Sequence, residues 1–380
     1  MNIMIFSSIY PAPAACGIPN DTKVVHYYAK QWQTEGHRVQ VVYLHFSSVK
    51  RIFRATGLKK IYGMESDYEY EGIPVHLLDY QLLFPGRNYL SAFQAKNAER
   101  RILKWMEQSF VPDKVFVHFP CSFKGIACVS AFDCPTMAVL HNVDIYTMRR
   151  KKELCGELNR YRSLGGRNAN ICRIASEQLL RECALVLSGI DESLIPPVEW
   201  IRQKASQTSE CIRIVYAGNL IKLKKVDVVL KALEQVDFAY RLDIIGDGPE
   251  KNKLMTMASG NENIVFRGRM SREATIDAMR EADVFVMVSS PETFGLVYLE
   301  AMAQGCITVG SRGEGIDGVI VDEKNGFLVL PGNADELAAC LKKIAIMSSE
   351  EKQNMVFSAY KDAASMTDLQ MGMKYFNMNV

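Results

Sequence analysis

The chain has 380 residues, too many for one ordinary hydrophobic core, so two domains or one large α/β unit are expected. Hydrophobic residues at 48% and charged residues at 23% exclude a disordered or collagen-like chain, and no apolar run approaches the roughly 20 residues that span a bilayer. The 45 Lys and Arg against 43 Asp and Glu leave a net charge of +2, which offers no overall field for nucleic acid; the first half is mildly basic and the second mildly acidic.

The opening reads as strand, loop, helix, strand. Asn2 to Ser7 is a short buried strand, and a loop rich in Pro, Ala and Gly follows. That loop ends in small residues before Cys16, as a lipoprotein cleavage site does. No Lys or Arg precedes Lys23, however, and the apolar run Ile3 to Phe6 is too short for a signal peptide. Asp21 is the expected N-cap of a helix running to about Glu35, with Val24, Val25, Tyr28 and Trp32 at helical spacing. Val39 to Leu44 is the next strand, and this βαβ start predicts a parallel, doubly wound sheet.

Residues 45–93 read as long loops around a hairpin. Lys114 to His118, Thr136 to Leu140 and Ala184 to Ser188 read as buried strands. A boundary is expected near Ile195 to Cys211, where two prolines and polar residues show no apolar period. Alternation then restarts. Strands are predicted at 213–217, 241–245, 264–267, 284–288 and 306–309, with helices at 226–234, 272–282 and 295–304. In open parallel sheets ligands sit at the carboxyl ends of the strands, so site residues are expected in the loops that follow strands.

Ten scattered cysteines without a C-x-x-C pair suggest neither a disulfide scaffold nor a zinc site, and point to a reducing compartment. No P-loop, Asp-x-Asp or HExxH occurs, and IIGDGPE lacks dinucleotide spacing. No metal is therefore expected.

The most informative segment is ADVFVMVSSPETFGLVYLEAMAQGC. A strand, the loop SSPETF and a helix starting near Gly295 aim the backbone N–H groups of Phe294, Gly295 and Leu296 above the sheet. A helix N-terminus carries about half a positive charge and suits an anion such as a diphosphate. Glu292 and Glu300 flank that position. Carboxylates beside a phosphate make sense as acceptors for hydroxyls on either side of it. The pattern suggests a diphosphate with a polyol at each end, which describes a nucleotide sugar. The plainer reading makes Glu292 a helix-capping acid and Glu300 a surface residue.

The sequence from Glu292 to Gly305, ETFGLVYLEAMAQG, resembles the signature of the group-one retaining glycosyltransferases of GT-B fold, a family with many bacterial polysaccharide and lipopolysaccharide enzymes. YAGNLIKLKKVDVVLKAL, IIGDGPE, FRGRM and NGFLV add to the resemblance, which covers nearly all of residues 211–345 and is looser over residues 1–195. It implies two Rossmann-like doubly wound domains facing a central cleft. Residues 1–195 would bind the acceptor and 196–360 the donor, and residues 361–380 would form a helix returning to the first domain.

The resemblance also implies roles. Glu292 contacts the transferred sugar and Glu300 the ribose. The backbone at Phe294, Gly295 and Leu296 holds the diphosphate, and the base lies near Gly268, Arg269 and Met270. Lys224 matches the family's phosphate-binding Lys. The family's Arg is replaced by Asn219 and its Gly by Lys225; Lys222 or Arg269 are the candidates to restore the missing charge. His141, directly after a strand, matches a His near the sugar and acceptor, and His118 is a second candidate. Gly17 stands where the family has a Gly-Gly loop.

The expected function is a metal-independent retaining glycosyltransferase. It would move a sugar from a UDP- or GDP-linked donor, as substrate rather than cofactor, to a glycan or polyprenyl-linked acceptor in surface polysaccharide, capsule or lipopolysaccharide assembly. A GT-B sugar-nucleotide epimerase and a non-catalytic sugar-binding subunit remain as alternatives. The expected location is cytoplasmic. Two basic clusters, Lys50–Lys60 with interleaved apolar residues and Arg149–Lys152, suit either peripheral contact with an anionic bilayer or a solvated face.

Overall fold

The computed structural model describes residues 1–13, 16, 18, 23–47, 63–81, 89–108, 110–123, 132–207 and 210–378. Gly17, Asp21 and the basic cluster at 50–60 lie outside the described residues. The chain divides into two compact units. The first comprises 1–167, 171–187 and 371–380, and the second 168–170 and 188–370.

The first unit is built on an eight-stranded sheet. In chain order its strands are β1 (Asn2–Ser7), β2 (Arg38–Ser47), β3 (Met64–Tyr70), β4 (Ile73–Gln81), β5 (Lys114–His118), β6 (Thr136–Leu140), β7 (Ser163–Gly166) and β8 (Ala184–Leu185). The spatial order is β3-β4-β2-β1-β5-β6-β7-β8, and every pair is parallel except the β3–β4 hairpin. β1 is central and buried on both faces, which its unbroken apolar run Ile3–Phe6 requires. One face carries Phe6, Val42, Val117 and Leu140; the other carries Ile5, Val41, Phe116 and Val139. Helix α1 (Val24–Thr34) covers the latter face with Val25, Tyr28, Ala29 and Trp32. Helix α2 (Ala92–Glu107) starts at a capping box in which Ser91 and Gln94 satisfy each other's backbone N–H groups.

The second unit has a six-stranded parallel sheet, ordered β11-β10-β9-β12-β13-β14. Its strands are β9 (Ile212–Ala217), β10 (Tyr240–Ile245), β11 (Ile264–Gly268), β12 (Val284–Val286), β13 (Ile307–Ser311) and β14 (Phe327–Val329). The reversal of chain order between β9 and β12 makes their carboxyl ends the switch point of the sheet, where a crevice is expected.

Several expectations are corrected. The 45–93 region supplies a long, mostly buried strand, β4, paired with an extended β2. The polar boundary 195–211 contains a helix, Val198–Ala205, whose only buried residue is Ile201, so no apolar period was visible. The strands expected at 184–188 and 284–288 are shorter, because the chain leaves the ladder early to form loops.

Candidate functional site

The site in the second unit begins with two loops that approach closely. After β9 the chain runs through Gly218, Asn219 and Leu220, then through a short 3-10 turn at Lys222–Lys224. After β10 it runs through Gly246, Asp247 and Gly248. A Cβ on Gly246 would lie 1.9 Å from the Gly218 carbonyl oxygen, and one on Gly248 would lie 2.5 Å from that of Leu220. Only glycine allows this approach. It brings the Leu220 N–H to the Asp247 carbonyl at 2.9 Å and the Glu250 N–H to the Leu220 carbonyl at 3.0 Å. The glycines of IIGDGPE thus lock one wall of the site.

The loop after β12 is held by Glu314, whose carboxylate accepts from the Ser290 hydroxyl and from the Glu292 N–H, both at 2.7 Å. Buried Tyr298 donates to the Met287 carbonyl at 2.6 Å. Gly295 has φ +79°, and a Cβ there would lie 2.6 Å from the Tyr298 ring, so the turn into helix α3 (Leu296–Ala303) needs glycine. The Glu292 carboxylate accepts from Lys224 Nζ at 2.5 Å, from Ser289 Oγ at 2.9 Å and from the Thr293 N–H at 3.2 Å. Its side chain is 14% exposed and that of Lys224 is 21% exposed.

Between these loops lies a cavity of about 410 Å³ whose walls include Asn219, Lys224, Arg269, Met270, Gly295 and Leu296. Gly218, Asp247, Thr275 and Val297 complete the walls that matter here. The Asp247 carboxyl is held below its usual range, chiefly by the Gly248 N–H and then by Lys251. Lys224, Arg269 and the start of α3 give the cavity positive character.

The remaining candidates separate. Lys222 is an exposed residue of the 3-10 turn, whereas Arg269 lines the cavity. Gly268 has φ +72° and accepts from the Gly246 N–H at 2.8 Å. Phe294 is buried, with its backbone against Gly315. Glu300 lies one turn beyond Leu296 and Val297 on α3, and its Oε1 accepts from Arg272 Nη2 at 2.7 Å and Nε at 3.2 Å.

In the first unit His141 follows β6 and begins a helix at Asn142–Arg150. It is buried, stacks on Phe119 with ring centroids 3.6 Å apart, and its Nε2 lies 3.3 Å from His118 Nδ1. His118 Nε2 lies 3.2 Å from the Tyr375 hydroxyl. Burial, with the nearby Arg167 guanidinium, holds both imidazoles well below their usual pKa, so both are neutral at pH 7. Asp144 fixes the backbone here, accepting from the His141 N–H at 2.8 Å and the Cys121 N–H at 3.0 Å. Burial raises its carboxyl to about 7.

Sequence reasoning missed Arg272, Ser289 and Glu314. Arg272 opens a helix and reads as a solvated charge, and RGEGI carries no signal for the backbone contacts of Glu314. Among the described residues there is no group of three or more potential metal ligands, and no helix is long and apolar enough to cross a membrane.

This pairing of doubly wound units with an anion-suited cavity at a strand switch point defines a GT-B architecture. The comparisons agree. The family "Glycosyl transferases group 1" matches residues 198–362. A putative teichuronic acid biosynthesis glycosyltransferase, TuaC of Bacillus subtilis, is 25% identical over 365 residues, covering 90% of this chain and 89% of that protein. The sulfoquinovosyl transferase SQD2 of Arabidopsis thaliana is 30% identical over 159 residues, 41% of this chain and 30% of its own length. Most curated relatives are likewise matched over less than half their length, between 30% and 44%. Among solved structures, the lipopolysaccharide outer core galactosyltransferase WaaB superposes with a TM-score of 0.73 at 14% identity, over 99% of this chain and 98% of that one. The family match lies within the second unit.

Proposed function

We propose that the protein transfers a sugar from a nucleoside-diphosphate donor to a glycan or lipid-linked acceptor, with retention of anomeric configuration, in the assembly of a bacterial surface polysaccharide. The carrying observation is that Lys224, held by Glu292, and the glycine-started helix α3 line one cavity at the switch point of the second sheet. In this reading the diphosphate faces Lys224, Arg269 and the backbone at Gly295. Arg269 offers the guanidinium that Asn219 lacks.

Reaction breaks the bond from the anomeric carbon to the diphosphate oxygen. The new bond to the acceptor oxygen forms on the same face, and the acceptor proton passes to the departing phosphate. Lys224 and the backbone N–H groups stabilise the charge that develops on that leaving group. Glu292, fixed by Lys224 and Ser289, accepts from a sugar hydroxyl. Names of relatives such as TuaC and WaaB support polysaccharide assembly as the setting.

The test is a thermal-shift panel of UDP- and GDP-sugars, since a ligand that binds only the native state raises its melting temperature. NMR of the anomeric configuration in the transfer product follows. Stabilisation by at least one donor, and a product retaining its configuration, are expected. No shift with any donor would favour a non-catalytic subunit, and turnover of a donor without acceptor would favour an epimerase.

A further inference from the structure

Glu300 is held asymmetrically. Two hydrogen bonds from Arg272 fall on Oε1, and no protein group among the described residues is hydrogen-bonded to Oε2. The Glu300 side chain is 13% exposed and that of Arg272 48%. Arg272 is the first residue of a helix, Arg272–Glu281, whose start is fixed by Ser271 Oγ accepting from the Ala274 N–H at 3.1 Å. Its neighbours in sequence, Met270 and Thr275, line the cavity, as do Leu296 and Val297, which lie four and three residues before Glu300 on α3. Residues at that spacing share a helix face. The Arg272–Glu300 pair therefore lies beside the residues that line the cavity. Asp191 and Asp368 also face the guanidinium electrostatically, and the Asp368 carboxyl is raised by burial and lowered by Arg272.

The geometry points to Arg272 as a positioning residue that fixes Glu300 with Oε2 presented to a vicinal diol, so that it sets the preference for ribonucleotide over deoxyribonucleotide ligands. This rests on the donor reading above. Arg272 occupies the carboxylate oxygen that would otherwise be free to rotate, and it satisfies that oxygen's charge without using the second. A carboxylate held this way accepts from two adjacent hydroxyls with little reorganisation.

The experiment is calorimetric titration of the full chain with UDP and GDP, each against its 2′,3′-dideoxy counterpart. The proteins are wild type, Arg272→Met and Arg272→Lys, with melting temperature as the folding control. In wild type the ribonucleotide should bind about 10- to 100-fold tighter than the dideoxynucleotide, the range of a charged hydrogen bond. Arg272→Met should lower that ratio about 10-fold while leaving dideoxynucleotide affinity within about twofold, and Arg272→Lys should restore part of it. An unchanged ratio in Arg272→Met, or tighter ribonucleotide binding, overturns the assignment; the latter would make the contact a block on Glu300. Binding of neither ribonucleotide to wild type overturns the donor reading itself, and this assignment with it.

Discussion

Lys224 and Glu292, 68 residues apart in sequence, meet as an ion pair at 2.5 Å, and Lys224 lines the second unit's cavity. The cation that would neutralise a diphosphate is thereby held by the carboxylate that would grip the sugar. Both roles share one geometry. Removing either partner strands the other in a half-buried setting. Lys224→Met is expected to lower kcat/KM about 100- to 1000-fold, the scale of losing one preorganised charge donor. Steady-state kinetics on the best donor checks this, and activity within threefold of wild type would remove Lys224 from the mechanism.

Glu300→Gln keeps the shape of the side chain and removes its charge. The ribose diol is present in ground and transition states alike, so donor affinity should fall roughly 10- to 100-fold with little change in kcat. Titration with the nucleoside diphosphate reads this directly. Undiminished affinity in a folded variant would reassign the carboxylate to a structural partner of Arg272.

Transfer should survive EDTA. The proposed leaving group is stabilised by Lys224, Arg269 and backbone dipoles, and no Asp-x-Asp pair occurs in the chain. Product formation after dialysis against chelator is the measurement. Loss of activity restored by manganese would show a clamp that these residues do not supply.

Lys225 occupies the left-handed region at φ 53°, where the resembling family carries glycine. A non-glycine residue there pays about 1–2 kcal/mol, and glycine returns about 0.5–1 kcal/mol of that as lost chain entropy. Lys225→Gly should therefore stabilise the second unit by about 0.5–1 kcal/mol, read as a higher denaturation midpoint. A lower midpoint would mean that the side chain makes a contact worth more than the strain.

His118 and His141 are neutral in the fold but free to protonate in the unfolded chain at about 6.5. Below that pH the unfolded state binds more protons, so each contributes a loss of about 1.4 kcal/mol per pH unit on acidification. Asp144 acts oppositely. Its raised carboxyl makes the folded state the better proton binder between about 4 and 7, so its contribution falls as pH rises through about 7. The difference between wild type and His118→Asn isolates the first effect. Its stability curve should be shallower than wild type between pH 6.5 and about 5, and parallel curves would mean that His118 titrates normally in the fold.

Contiguous chemistry was legible in the sequence. Glu292, Gly295 and the strand before them are close in the chain, and their spacing carried the reading; so did the buried strands of both sheets. Relationships assembled by folding were not legible. Arg272 and Glu300 are 28 residues apart, and nothing in SREAT distinguishes a positioning Arg from a solvated one. β7, with the sequence SLGG, carries a single large apolar residue and so no run that marks a buried strand. Gly165 and Gly166 serve packing: a Cβ on the first would lie 2.6 Å from the Met137 methyl, and one on the second 2.7 Å from Cys172 Sγ. The glycines of IIGDGPE were visible as a motif, but their purpose appears only once the Gly218 loop lies against them.

Residues 371–376 belong to the first unit, where Tyr375 is buried against Tyr28, Trp32 and Phe116, and the Trp32 indole donates to the Gly372 carbonyl at 3.0 Å. On the ribosome this inverts the usual order. An N-terminal unit ordinarily folds first, yet this one is completed only by a segment made after the whole second unit. At about 5–20 residues per second the delay is of the order of 10 to 40 s. During that interval Trp32 and Phe116 lack their cover, so the nascent first unit is the stage at which a chaperone would be most needed.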